Sequence, residues 1–158
     1  MPSDYALVSR WTVPVGLDAL WDVVEELLAT DDPLVWWPAV RTVAYDNGRL
    51  RVHVSSGLGY GLDVVLDDLE ARRPSTLTFS ARGDLRGAGM VRFVPVSQAG
   101  TMLEIDWRVA ADRRWMRWTG WLLRPVFVLG HRLVMRRGEA RLRAWLGARD
   151  SPGPRRVV

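Results

Sequence analysis

The sequence predicts an α+β domain in which a curved antiparallel sheet of about seven strands wraps around one long C-terminal helix, and three observations carry that prediction. The first is residues 124–148, RPVFVLGHRLVMRRGEARLRAWLGA, where Val128, His131, Met135, Gly138, Leu142 and Trp145 recur at three- and four-residue steps. Arg132, Arg136, Glu139 and Arg143 fall on the other side, so this helix has an apolar face to bury. The second is a periodicity of two from about residue 40 to residue 111, interrupted at short intervals by turn residues. The third is the shortness of those connections, which favours antiparallel neighbours over crossovers. A sheet with one polar face must cover the other, and the C-terminal helix is the large apolar element left to do it.

Taken in order, residues 5–13 alternate as a first strand that Pro14 and Gly16 break. Leu17, Leu20, Trp21, Val24, Leu27 and Leu28 form one stripe of a helix at 17–29, with Asp18, Asp22 and Glu25 suited to its N-terminal half. Thr30-Asp31-Asp32-Pro33 ends it, and Pro38 disfavours helix at Trp37. Residues 40–46 read as a strand, and Asp46-Asn47-Gly48 is a hairpin signal. On the returning strand Leu50, Val52 and Val54 alternate with Arg49, Arg51 and His53. A glycine-rich connection, 57–61, leads to a strand at 62–71, and Arg73-Pro74-Ser75 turns into 76–83. Strands at 85–96 and 101–110 follow; the last has Leu103, Ile105, Trp107 and Val109 on one side against Met102, Glu104, Asp106 and Arg108. Pro125 is expected to break or kink the helix, setting 113–124 apart from the long C-terminal segment.

At 158 residues the chain predicts a single domain, 1–148, followed by a flexible Pro/Gly/Arg-rich tail, 149–158. Cysteine is absent, which excludes disulfides and thiolate metal sites and is compatible with a reducing compartment. The N-terminus lacks a signal-peptide pattern and no apolar run approaches ~18 residues, so a cytoplasmic protein, peripheral to a membrane at most, is expected. Net charge is +4, unevenly spread: residues 108–158 hold 13 Arg against Asp112, Glu139 and Asp150, a balance of +10, and residues 1–107 balance at −6. An acidic sheet exterior and a basic helix exterior are the plain reading of that asymmetry.

Order and residues together resemble the START-like helix-grip superfamily, in its SRPBCC or polyketide cyclase/dehydrase branch. The carriers are Trp21, WWPAV at 36–40, GDLRGAGMVRF at 83–93, GTMLEIDWRV at 100–109, WM at 115–116 and RPVFVLGHRLVMRRGEARL at 124–142. The resemblance implies a seven-stranded sheet gripping the last helix around an apolar cavity. It implies binding of lipids, polyketides, plant hormones or related hydrophobic molecules, and in some members cyclisation or dehydration. Aromatase/cyclase members place polar groups and an Arg on a central strand facing the cavity. Here residues 61–73 offer Asp63 but no inward Arg–Trp–Ser cluster, which argues against cyclase chemistry and leaves the container.

Of the two histidines, His131 shares the apolar helix face, where a neutral imidazole could orient a ligand carbonyl or act as a general acid or base. No carboxylate at helical spacing orients it, so an interior histidine without chemistry is the competing reading. His53 alternates with arginines and is expected to be exposed. Two histidines, no cysteine and no HExxH give no metal signature, and no cofactor is expected. The glycines at 57, 59 and 61 and at 83, 87 and 89 lack phosphate-loop spacing, and GxSxG is absent.

Nine tryptophans supply much flat apolar surface. The expected cavity wall is Trp36, Trp37, Phe79, Val91, Phe93, Ile105, Trp107, Val128, His131 and Met135. Residues 113–125, RRWMRWTGWLLRP, interleave apolar and basic side chains as an interfacial helix does, making Trp115, Arg117, Trp118 and Trp121 candidate contacts with an anionic membrane. Nucleic-acid binding is not expected, because the Trp positions follow buried periodicities. Three functions follow: a binder of a small hydrophobic molecule (lipid, polyketide or isoprenoid-like), a cyclase/dehydratase-type enzyme using His131, and a peripheral membrane lipid carrier.

Overall fold

The computed structural model describes residues 4–111 and 120–150. The elements are β1 (Asp4–Val13), α1 (Leu17–Leu28), β2 (Val40–Asp46), β3 (Arg49–Ser55), β4 (Gly61–Arg72), β5 (Thr76–Gly83), β6 (Leu85–Ser97), β7 (Gly100–Ala111) and α2 (Gly120–Asp150). The seven strands form one sheet in the order β1-β7-β6-β5-β4-β3-β2, antiparallel at every junction. From β2 onward it is a meander, and β1 and β2 lie at opposite edges with α1 between them in the chain. The predicted helix-grip α+β architecture is the one observed.

Local chemistry explains the bends. Asn47 and Gly48, at φ 48° and 73°, supply the left-handed pair that a two-residue hairpin between β2 and β3 requires. Register shifts interrupt the β2–β3 ladder between Thr42 and Ala44 and the β4–β5 ladder between Asp67 and Glu70, where Asp68 adopts φ 54°. Such bulges bend strands and increase their twist, which lets the sheet curl.

The concave face is sealed at one end by α1. Trp21 is fully buried, its Nε1 donates to the Pro74 carbonyl at 2.7 Å, and its ring lies 4.6 Å from that of Phe93. Arg73, next to Pro74, reaches Asp22 and Glu25 on α1, each at 3.0 Å. The buried Thr101 hydroxyl donates to the Val15 carbonyl at 2.8 Å and fixes the passage from β1 into α1.

Along the concavity runs α2. Phe127 and Val134 join Tyr5, Leu50, Val52, Val64 and Val109 in one core cluster. Met135, Leu142 and Leu146 join Trp11, Leu20, Trp21, Phe93, Leu103 and Ile105 in the other. Two expectations need correction. The helix does not break at Pro125 but runs through it from Gly120 to Asp150, the one bond it forgoes to the carbonyl of residue 121 being outweighed by burial of Phe127 and Val134 on the turns that follow. Nor does the tail begin at 149: the helix continues to Asp150, and Arg149 pairs with Glu26 at 2.6 Å and stacks 4.8 Å from the Trp145 ring. Residues 151–158 of the expected tail lie outside the described residues.

Candidate ligand cavity

Between the concave sheet face, α1 and α2 lies a cavity of about 280 Å³. That is near the lower edge of the roughly 300–1,000 Å³ of small-molecule sites. Strand alternation supplies most of the wall, including Leu50, Val52, Val64, Phe79, Ile105 and Trp107. From α1 come Leu20, Val24 and Leu28; from α2 come Phe127, His131, Val134 and Met135.

Aromatic rings brace this wall. Trp36 and Trp37 stack with centroids 5.2 Å apart, and Trp11 meets both edge-on at 6.0 and 5.3 Å. Phe79 and Trp107 pack edge-on at 5.3 Å. Two glycines of α2 allow rings to approach the helix backbone. A Cβ at position 138 would stand 2.6 Å from Cε2 of Trp37 and 2.9 Å from Cη2 of Trp11, and one at Gly130 would collide with the Tyr60 hydroxyl. Aromatics resting on the helix hold it off the sheet, so the interior does not close completely.

Among the described residues no Asp, Glu or Arg lines the cavity, and the polar side chains there are Ser56, Tyr60, His131 and the indoles. The Ser56 hydroxyl donates to the Tyr60 carbonyl at 2.8 Å and accepts from the Leu58 N–H at 3.0 Å. Burial pushes the Tyr60 phenol up, partly offset by the Ser56 hydroxyl. Burial also pushes the His131 imidazole down to about 4, so both groups are neutral near pH 7. His131 Nε2 and Trp37 Nε1 are buried without a hydrogen-bond partner. Among the described residues no cluster of three or more His, Asp or Glu could hold a metal ion.

No family model matches the sequence, and no curated protein matches it. Solved structures do. A START superfamily protein from Mycobacterium smegmatis superposes with a TM-score of 0.65 at 12% identity, over 90% of this chain and 97% of that one. Norcoclaurine synthase from Thalictrum flavum, in complex with dopamine and hydroxybenzaldehyde, gives 0.53 at 10% identity, over 96% and 91%. A Streptomyces aromatase/cyclase gives 0.50 at 16% identity, over 90% and 98%. The fold is START-like.

Within this START-like grip, Trp36, Trp37, Phe79, Val91, Phe93, Ile105, Trp107, His131 and Met135 all line the cavity. Val128 does not. It is half-buried beside the lumen: Phe127 and Val134 share the inward face with the predicted His131 and Met135, and Val128, a step of ~100° past Phe127, falls just outside that arc. Trp115, Arg117 and Trp118 lie outside the described residues, as does the side chain of Trp121. His53 is on the outer face as expected, yet only partly exposed: its Nδ1 lies 2.7 Å from Asp63 Oδ1. Asp63 is thereby on the convex side, away from the cavity.

Several wall residues were not singled out from the sequence. Trp11 stands in register with Tyr5, Leu7 and Val13 on β1, so strand alternation carried its signal. Leu20, Val24 and Leu28 were legible as an α1 stripe, but not as a stripe facing a lumen. Tyr60 sits in a glycine-rich connection, and only its packing on Gly130 reveals it.

Proposed function

We propose that the protein binds a small hydrophobic molecule, of lipid, polyketide or isoprenoid-like character, between the sheet and α2. One observation carries this reading: an interior cavity whose wall is mainly hydrocarbon and aromatic, with no charged side chain among the described residues. Norcoclaurine synthase, similar in fold, holds dopamine and hydroxybenzaldehyde, and the flat rings lining this cavity suit guests of that size. Native mass spectrometry of freshly purified protein is expected to show a bound molecule that organic extraction removes. Protein recovered free of any guest, and giving no thermal shift with panels of hydrophobic compounds, would falsify the proposal.

A cyclase/dehydratase role for His131 has less support, because among the described residues no carboxylate shares its wall to orient or charge the ring. A membrane-facing role has a specific observation behind it. Leu122, Val126 and Leu129 are 61%, 40% and 50% exposed, at four- and three-residue spacing on the side of α2 turned from the sheet. Arg132 and Arg136 follow on the exposed surface of the same helix. No helix of the described residues is long and apolar enough to cross a membrane. An apolar stripe bordered by arginines suits an anionic bilayer surface, which supports a location peripheral to a membrane. Flotation with anionic but not zwitterionic vesicles is expected, weakened several-fold by the double variant Leu122→Ser, Leu129→Ser; equal partitioning of variant and parent would remove this second role.

A further inference from the structure

The cavity is not uniform from end to end. Where the β3–β4 connection crosses α2, Ser56 and Tyr60 of the connection pack on Gly130, and His131, the next residue of α2, lines the same cavity. The remaining wall is aliphatic and aromatic, with Leu20, Leu77, Phe93 and Leu103 toward α1. At the polar end the Ser56 hydroxyl is already engaged with the Tyr60 carbonyl and the Leu58 N–H. His131 is different: Nε2 is shielded from water and has no partner. Trp37 Nε1, the other unpaired nitrogen in the wall, lies two helical turns away beside Gly138.

A buried nitrogen with no partner is an unmet demand, since leaving it unpaired costs more than a formed hydrogen bond returns. A wholly hydrocarbon guest would leave that demand standing. A charged guest fails for the opposite reason. With no Arg, Asp or Glu among the described residues of the wall, a carboxylate or ammonium would be buried there without a counter-ion. We infer that the guest is amphipathic and uncharged, its apolar body in the α1 end and a single hydroxyl, phenol or carbonyl hydrogen-bonded to His131. Rotation about the soft imidazole χ2 presents a ring nitrogen to the lumen, and a neutral ring offers one donor and one acceptor. This inference rests on the cavity reading of the proposed function.

Three rigid probes of one shape test it: naphthalene, 2-naphthol and 2-naphthoate, titrated by fluorescence at pH 7. The expected order puts 2-naphthol roughly tenfold tighter than naphthalene, with 2-naphthoate weakest. His131→Phe, which keeps a planar ring, should bring the ratio of 2-naphthol to naphthalene affinity down to about one, whatever it does to the affinity for naphthalene itself. His131→Leu repeats the comparison should the phenylalanine variant not fold. In ¹⁵N spectra of the parent, 2-naphthol should move the His131 ring nitrogens and naphthalene should not. Equal binding of naphthalene and 2-naphthol, or a preference that survives both substitutions, overturns the polar contact. Tightest binding by 2-naphthoate overturns the uncharged head. Binding of none of the three tells against the cavity itself, and with it this inference.

Discussion

The two faces of the sheet use the same strands for opposite ends. On the convex face Glu104 of β7 stands directly across from Arg10 of β1 and Arg92 of β6, at 3.0 and 2.9 Å. Asp67 of β4 lies between Arg49, at 2.7 Å, and Arg82, and His53 of β3 faces Asp63 of β4. On the concave face the alternate residues that reach the cavity are hydrocarbon or aromatic, and opposite them on α2 one imidazole has an Nε2 without a partner. Because side chains alternate, a one-residue slip would exchange the two sets, so the outer pairs and inner apolar rows enforce one register together. The difference teaches where energy and function reside. Exposed ion pairs specify pairing at small net gain, while the inner face supplies the stability and, where packing stops short, the site.

The largest effect expected from breaking that contrast is on the inner side, at Trp21. Its ring is fully buried against Phe93 and its N–H holds the Pro74 carbonyl, so Trp21→Ala removes both the clamp on α1 and the filling beneath it. Urea unfolding is expected to show a loss of about 3–5 kcal/mol. A loss below about 1 kcal/mol would mean that α1 is not anchored through this ring.

Next in size is the pH dependence contributed by His131. In the unfolded chain an imidazole titrates near ~6.5. In the fold, burial lowers it to about 4. Between those values the unfolded chain binds a proton that the folded chain does not, so stability rises with pH across the window. The contribution is fully present above ~6.5 and is lost as pH falls toward 4, amounting to at most about 3 kcal/mol. Urea midpoints from pH 7 to pH 4 should therefore fall more steeply for the parent than for His131→Phe. Parallel curves would show that the ring is solvated in the fold. Outer-face carboxylates add to acid sensitivity in both proteins: Asp67, held low first by its hydrogen bond with Arg49, also loses its stabilising contribution as the pH falls.

What could be read from the sequence divides along the same line. The strands were legible because alternation and turn chemistry are local: Leu103, Ile105 and Val109 declare their face within one strand, and Asn47-Gly48 declares its hairpin. The rotational setting of α2 was not. Between Val126 and Leu129 every residue is apolar, so periodicity cannot choose between Phe127 and Val128. The choice is made by rings from elsewhere, Tyr60 on Gly130 and Trp37 on Gly138, contacts that exist only after the sheet has curled. His53 was legible as outward-facing, but its partner Asp63 depends on the register across the 57–61 connection, which composition does not specify.

The smallest effect sharpens the comparison from the outer side. Glu104 makes two ion pairs, and by that count alone Glu104→Gln would be as damaging as an inner-face change. It is not expected to be. Both arginines are more than half exposed, so water solvates their guanidinium groups in either variant, and glutamine keeps the length and an acceptor oxygen. The expected loss is under about 1 kcal/mol at low salt, shrinking further at 1 M salt as screening removes the Coulomb part. The informative measurement is the salt dependence. If the parent's advantage over Glu104→Gln persists undiminished in high salt, the triad acts through packing and hydrogen-bond geometry, and the outer face contributes more to the fold than its exposure implies. If it vanishes, the outer charges select register and the inner wall supplies the binding energy of the fold.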